Sequence, residues 1–211
     1  MADDDQDAGP RRPYHHGNLR EALITATLRL VEERGPLGFT LAEAARTAGV
    51  SAAAPYRHFR GRDELIEEVA RRGFVMFADK LERAWNDGKP SPLASFMALG
   101  RAYLEFAREN PGYYGAMFES GVSIAGNAEL ARAGERALAV LVRAADRLAA
   151  GLPAERRPPP SMVANHVWAL SHGVVELFGR GRPGSRGPWS ADEMLESGTA
   201  IYLRGLGVIP F

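Results

Sequence analysis

The chain has 211 residues, 45% of them hydrophobic, with no cysteine and a formal net charge of zero. That length supports one small and one medium domain with a proper core, and the cysteine count excludes disulfides and thiolate metal sites. No apolar run is long enough to cross a bilayer, and the opening MADDDQDAG is acidic where a secretion leader would be basic and then apolar, so a cytoplasmic protein with no membrane partner is expected.

The zero net charge conceals a gradient. Between Tyr14 and Arg62 seven arginines face four glutamates, a balance of +3, and His15, His16 and His58 add further donors. A locally basic head can bind phosphate on a neutral protein, because salt screens the remote charge; an ordinary solvated face would carry the same counts. Residues 1–13, rich in Asp, Gly and Pro, read as a disordered arm. Arg11 and Arg12 within it fit either a minor-groove arm or a solubilising tail. His15 and His16 are neighbours that point in different directions, which suits phosphate contact or plain exposure better than a metal site. Asn18 caps a first helix whose apolar residues Leu19, Ala22, Leu23, Ala26, Leu30 and Val31 recur at helical spacing, and Arg34-Gly35-Pro36 ends it.

The stretch Phe39–Phe59 reads as a helix-turn-helix. Thr40 and Glu43 make a capping box for a short helix over Leu41–Ala48. Gly49 supplies the left-handed turn, Val50 turns inward, and Ser51 caps a second helix over Ala52–Phe59. Ala44 and Ala45 allow close approach, while Val50, Tyr56 and Phe59 supply apolar bulk. Such a unit presents its second helix to a DNA major groove. Pro55, at the end of that helix's first turn, removes an intrahelical bond and predicts a slightly reshaped entry. Ala52, Ala53 and Ala54 offer base edges only methyl groups, for instance toward thymine.

The run Thr40, Ala44-Ala45, Ala48-Gly49-Val50-Ser51, Tyr56, His58-Phe59, Arg62 and Leu65 resembles the DNA-binding signature of the TetR repressors. The motif likeness covers Tyr14 to about Glu68; beyond that it lies in the number and spacing of helices. The resemblance implies an all-α fold: a three-helix helix-turn-helix domain over 14–61, then a helical-bundle regulatory and dimerisation domain over 62–211. It also implies a homodimer that pairs through its last two helices, binds a palindromic double-stranded DNA operator and is released by a small-molecule effector. The DNA-facing candidates are Thr40, Ser51, Ala52, Ala53, Ala54, Tyr56, Arg57, His58 and Arg62. Of these, Tyr56 and His58 are expected on phosphates, with Thr40 and Arg62 gripping the backbone.

The apolar face Leu65, Ile66, Val69, Ala70, Gly73, Phe74, Phe77, Leu81, Ala84 and Trp85 predicts one long helix from Arg62 to Trp85. Asp63 and Glu64 suit its N-terminus, and in the family this helix links effector binding to the DNA head. Further helices follow over 93–107, over 111–118 with Asn110 as cap and Pro111 at its first position, over 130–148, over 162–178, and over a last segment with a Ser190/Glu193 capping box. That makes about nine helices, with 121–126 and 179–188 as loops. The helix from Met162 to Phe178 is apolar nearly all round, which predicts burial on most sides.

Along that helix Asn165, Ala169, His172 and Glu176 form a polar stripe in which His172 and Glu176 can pair. Three partners remain open for it: a neighbouring helix, a ligand or the other subunit. Acid–base catalysis by the His/Glu pair has no nucleophile motif, metal-ligand set or cofactor loop to accompany it. No catalytic residue, metal or cofactor is therefore assigned; a small helical enzyme and a protein-binding adaptor stand as the rival functions. The effector-facing candidates are Phe77, Tyr103, Phe118, Asn165, Trp168, His172 and Glu176.

Overall fold

A computed structural model describes residues 19–179 and 187–210. The arm with Arg11 and Arg12, the His15–His16 pair, the Asn18 cap and most of the loop before the last helix lie outside the described residues. Among the described residues eight α-helices form the fold: α1 Leu19–Arg34, α2 Leu41–Thr47, α3 Arg62–Trp85, α4 Pro92–Glu109, α5 Pro111–Phe118, α6 Ala128–Ala149, α7 Pro160–Val174 and α8 Ala191–Gly205. None of the described residues forms a β-strand, and no described helix is long and apolar enough to cross a membrane.

The ninth expected helix, over Ala52–Phe59, is a single 3-10 turn at Ala54–Arg57. Pro55 accounts for the change: it has no N–H to close an α-helical bond and its ring crowds the carbonyl one turn back. Backbone bonds flanking the turn run from Ala54 N–H to the Ser51 carbonyl (3.0 Å) and from the His58 and Phe59 N–H groups to the Pro55 carbonyl (2.9 Å each). Ser51 thus serves the turn through its carbonyl. In this geometry Pro55 and Phe59 face the core, and Tyr56, expected to add bulk there, is 65% exposed.

Upstream, the local signals hold. Thr40 and Glu43 form the reciprocal capping box, with Thr40 N–H donating to Glu43 Oε2 (2.8 Å) and Glu43 N–H to Thr40 Oγ1 (3.2 Å). Arg34 donates to the other Glu43 oxygen (3.1 Å), tying the end of α1 to the start of α2. Gly49, at φ 74, ends α2; its N–H reaches the Arg46 carbonyl and the Val50 N–H reaches Ala45, both 3.0 Å, which is a Schellman closure.

The long helix α3 is the axis of the molecule, packed by α4, α5 and α6 and, at its start, by α1. It ends at Trp85, where Asn86 (φ 45), Asp87 (φ 54) and Gly88 (φ 73) turn left-handed in succession. The expected Asn110 cap is different in detail: Pro111 takes the first position of α5, but the Asn110 side chain donates back to the Phe106 carbonyl (3.3 Å). Two caps were not anticipated: Ser91, whose Oγ accepts from Ala94 N–H (3.2 Å) and starts α4, and Asn127, whose Oδ1 accepts from Glu129 and Leu130 N–H at 3.1 Å each and starts α6. The Ser190/Glu193 box opens α8 as expected.

Head and body meet at a carboxylate. Glu68 of α3, 8% exposed, accepts from Arg71 (2.8 Å) and Arg72 (2.8 Å) of its own helix and lies 3.5 Å from Arg20 of α1. Arg72 in turn holds Glu21 of α1. Burial raises the Glu68 pKa, but the arginine hydrogen bonds and charges outweigh it and bring the group from 4.5 down to about 2. A depressed carboxyl contributes stability above its unfolded pKa and loses it as pH falls through the folded value. Glu68→Gln should therefore cost about 3 kcal/mol at pH 6. Urea unfolding of both proteins should show that gap closing between pH 4.5 and about 2; a gap independent of pH would remove the ion cluster as its cause.

Candidate functional site

The first candidate surface is the turn after Gly49. Ser51, Ala52, Ala53, Tyr56, Arg57 and His58 are exposed and Ala54 is half-buried. They form one small projection: methyl groups first, then a phenol, a guanidinium and an imidazole. Thr40 stands exposed at the start of α2, its hydroxyl donating to Glu43 Oε2 (2.9 Å). The structure gives Arg62 a different task. Its guanidinium lies over the Phe39 ring (5.5 Å to the centroid) and donates to the Pro36 carbonyl and to Asp63 (3.0 Å), so it braces the α1–α2 connection against α3. Arg60, which falls between the motif positions and was not anticipated, has 95% of its side chain exposed beside the turn. A surface of this kind can grip phosphates through Tyr, Arg and His, and can touch bases through methyl groups or Arg57.

The second is a cleft of about 710 Å³ between α6 and α7. Phe74 of α3 and Phe118 of α5 reach it from below, and the 3-10 turn Ile124–Gly126 edges it. From α7 come Asn165, Trp168, Ala169 and His172; from α6 come Ala131, Gly134, Glu135 and Leu138. Four expected ligand residues are thus brought together: Phe118, Asn165, Trp168 and His172. Phe77 and Tyr103 are not among them, being buried as a second layer in which Phe77 packs edge-on to Trp168 (6.0 Å) and Tyr103 does the same (6.2 Å). Glu176 lies farther on, in the π-helical turn Val175–Gly179 that continues α7. The α6 wall was not recognised in the sequence because Ala, Gly and Leu at helical spacing read equally as core.

His172 is held differently from the expected pairing with Glu176. Its Nδ1 meets the Tyr114 hydroxyl at 2.7 Å and the Tyr103 hydroxyl at 3.2 Å. Burial raises the Tyr103 pKa, a hydrogen bond with Tyr114 lowers it, and the Glu176 charge adds to the rise. The His172 ring also stacks on Tyr114 (5.8 Å) and stands edge-on to Phe118 (5.2 Å). Asn165 donates to the Ser161 carbonyl (2.8 Å). The polar stripe on α7 is therefore divided between cleft and core.

A third surface corrects the expectation that α7 is buried on most sides. Met162, His166, Ala169 and Leu177 are exposed, and next to them on α8 Ile201 is 68% exposed. His166 Nδ1 and the Tyr202 hydroxyl join the two helices at 3.0 Å. The apolar residues on this side face outward, with no further helix of the described chain to cover them.

Known protein families match two stretches of the chain. Residues 23–69 match the family described as "Bacterial regulatory proteins, tetR family", and residues 96–202 match "Tetracyclin repressor-like, C-terminal domain". An HTH-type transcriptional regulator of Haemophilus influenzae is 32% identical over 94 residues, 44% of this chain and 50% of that protein; the chain thus spans about half the length of this curated relative. A protein from Rhodococcus sp. RHA1 is 30% identical, with 92% of this chain and 98% of that one aligned at a TM-score of 0.76. The fold is also that of the TetR family regulator PfmR from Thermus thermophilus, at 19% identity and a TM-score of 0.67 over 86% of this chain and 97% of that one. With matches at both ends and over half of its length, the chain belongs to the TetR family of transcriptional regulators, proteins that bind DNA and are not enzymes.

Proposed function

We propose that this protein is a cytoplasmic repressor that binds a palindromic operator as a homodimer and is released when a small molecule enters the cleft between α6 and α7. One observation carries the reading: helix α5 connects cleft and head directly. Its Phe118 lines the cleft, while its Gly112 and Gly115 lie against Leu28 and Val31 of α1. The long helix α3, the expected lever, runs alongside, but α5 is the shorter route. A ligand that favours one position of α5 by roughly 3 kcal/mol would change operator affinity more than a hundredfold. The exposed apolar side of α7 and α8 supports the dimer, since one recognition turn contacts too few bases to select a site in a genome.

The primary test is fluorescence anisotropy with the gene's own upstream DNA against random duplex competitor. Tight binding only to the former supports the reading, and equal binding to both sinks it. Tyr56 and His58 belong on phosphates, so Tyr56→Phe should weaken specific and random DNA alike and flatten the salt dependence by roughly one unit of slope for each phosphate released, per subunit. An altered sequence preference with an unchanged slope would instead put Tyr56 on a base.

Ile201→Glu should yield monomers in analytical ultracentrifugation and abolish operator binding in the same preparation, because two-fold symmetry would bury an unpaired carboxylate twice in an apolar interface. Monomers that keep full operator affinity would exclude α8 as the interface.

Release must be reciprocal: an effector that weakens DNA binding binds more weakly to the DNA complex, by the same factor. Calorimetric titration of the effector with and without operator measures both, and equal affinities in the two states would rule out the switch.

A further inference from the structure

We propose that the cleft selects a neutral, mostly apolar ligand bearing a carbonyl-type acceptor, and that this acceptor meets an N–H at Nε2 of His172. The inference rests on the reading of the cleft as the effector site and specifies what enters it. Two phenol hydroxyls, each with one proton to give, converge on Nδ1 of His172, Tyr114 at 2.7 Å and Tyr103 at 3.2 Å. Tyr103 is 2% exposed, so its proton must find an acceptor inside the protein. Tyr103 also hydrogen-bonds Tyr114; Tyr114, the nearer phenol at 2.7 Å, donates to the Nδ1 lone pair, which assigns the imidazole proton to Nε2. Among the described residues nothing hydrogen-bonds Nε2, and the ring lines the cleft. With the Nδ1 edge turned toward the buried tyrosines, the opposite edge is the one available to a ligand. Tyr114 is a positioning residue here: it selects the tautomer and touches no ligand.

The rest of the lining sets the charge. Glu135 is the one carboxylate among the described lining residues, and neither Lys nor Arg is among them. An anionic ligand would therefore leave water without a cation to meet it, whereas a neutral carbonyl loses little hydration and gains the His172 hydrogen bond. The aromatic rings of Phe74, Phe118 and Trp168 suit a flat hydrocarbon body.

The test uses the full chain and three probes on one ring system, acetonaphthone, naphthoate and ethylnaphthalene, with affinities from calorimetry. Acetonaphthone should bind roughly five- to tenfold tighter than ethylnaphthalene, the yield of one hydrogen bond, and naphthoate should be the weakest of the three. His172→Phe should bind acetonaphthone and ethylnaphthalene equally. Nitrogen-15 NMR of the ligand-free wild type supplies a readout that needs no variant to fold: Nε2 protonated and Nδ1 bare. The opposite tautomer, or naphthoate binding as tightly as the ketone, would overturn the proposal while leaving the cleft a ligand site. Failure of all three probes to bind would remove the cleft reading itself, and this proposal with it.

Discussion

The close approach of α5 to its neighbours is the constraint on which the arrangement depends. A Cβ at Gly73 of α3 would lie 2.6 Å from Met117 Sδ, and one at Gly112 of α5 would lie 3.0 Å from the Leu28 backbone oxygen. A methionine tip can yield, but a helical carbonyl cannot, so Gly112 fixes the distance between α5 and α1. The head is consequently continuous with the body: one apolar cluster runs from Leu19 through Phe59, Phe74 and Tyr114 to Leu203. In a close-packed interior, displacement of one helix is transmitted to the next instead of being absorbed. The Glu68 cluster adds a polar clasp at the same junction, drawing Arg20 and Glu21 of α1 onto α3.

What could be read in the sequence was local. The boxes at Thr40/Glu43 and Ser190/Glu193 and the Gly49 closure join groups only three to five residues apart, so spacing alone fixes the geometry. The stripe of α3 was equally legible, because one apolar face sustained over 24 residues admits few alternatives. The turn at Ala54–Arg57 was misjudged where two rules competed: the Gly49 turn and the Ser51 cap favoured a helix over Ala52–Phe59, and a single proline prevailed over them. Tyr56, expected to add apolar bulk, lies outside as a result, and the pyrrolidine of Pro55 is buried.

Tertiary arrangement decided the rest. Periodicity marks a face as apolar but does not say what covers it, which is why Met162 and Leu177, on a helix expected to be buried on most sides, are exposed. The same ambiguity hid the α6 side of the cleft and placed Phe77 and Tyr103 in its lining, although they stand one layer behind Trp168. Arg62 and His172 show the limit most clearly. Arg62 was expected on the DNA backbone and His172 in a polar stripe with Glu176, but the groups that hold them, Phe39 and the Pro36 carbonyl for one and two tyrosines for the other, come from elements far along the chain.

Pro55 carries a consequence for how the recognition turn meets its target. A pyrrolidine ring has its φ already set in the unfolded chain, and here the ring is buried beside Phe59, with two N–H groups anchored on its carbonyl. Such a turn has little conformational freedom to surrender. A flexible reading element orders itself on docking, and that ordering subtracts from affinity and appears as a large unfavourable entropy. On the proposed reading of the Ala52–His58 projection as the DNA-facing surface, it would meet the groove already shaped, and discrimination between sequences would come from fit against a fixed surface, with the DNA as the partner that deforms.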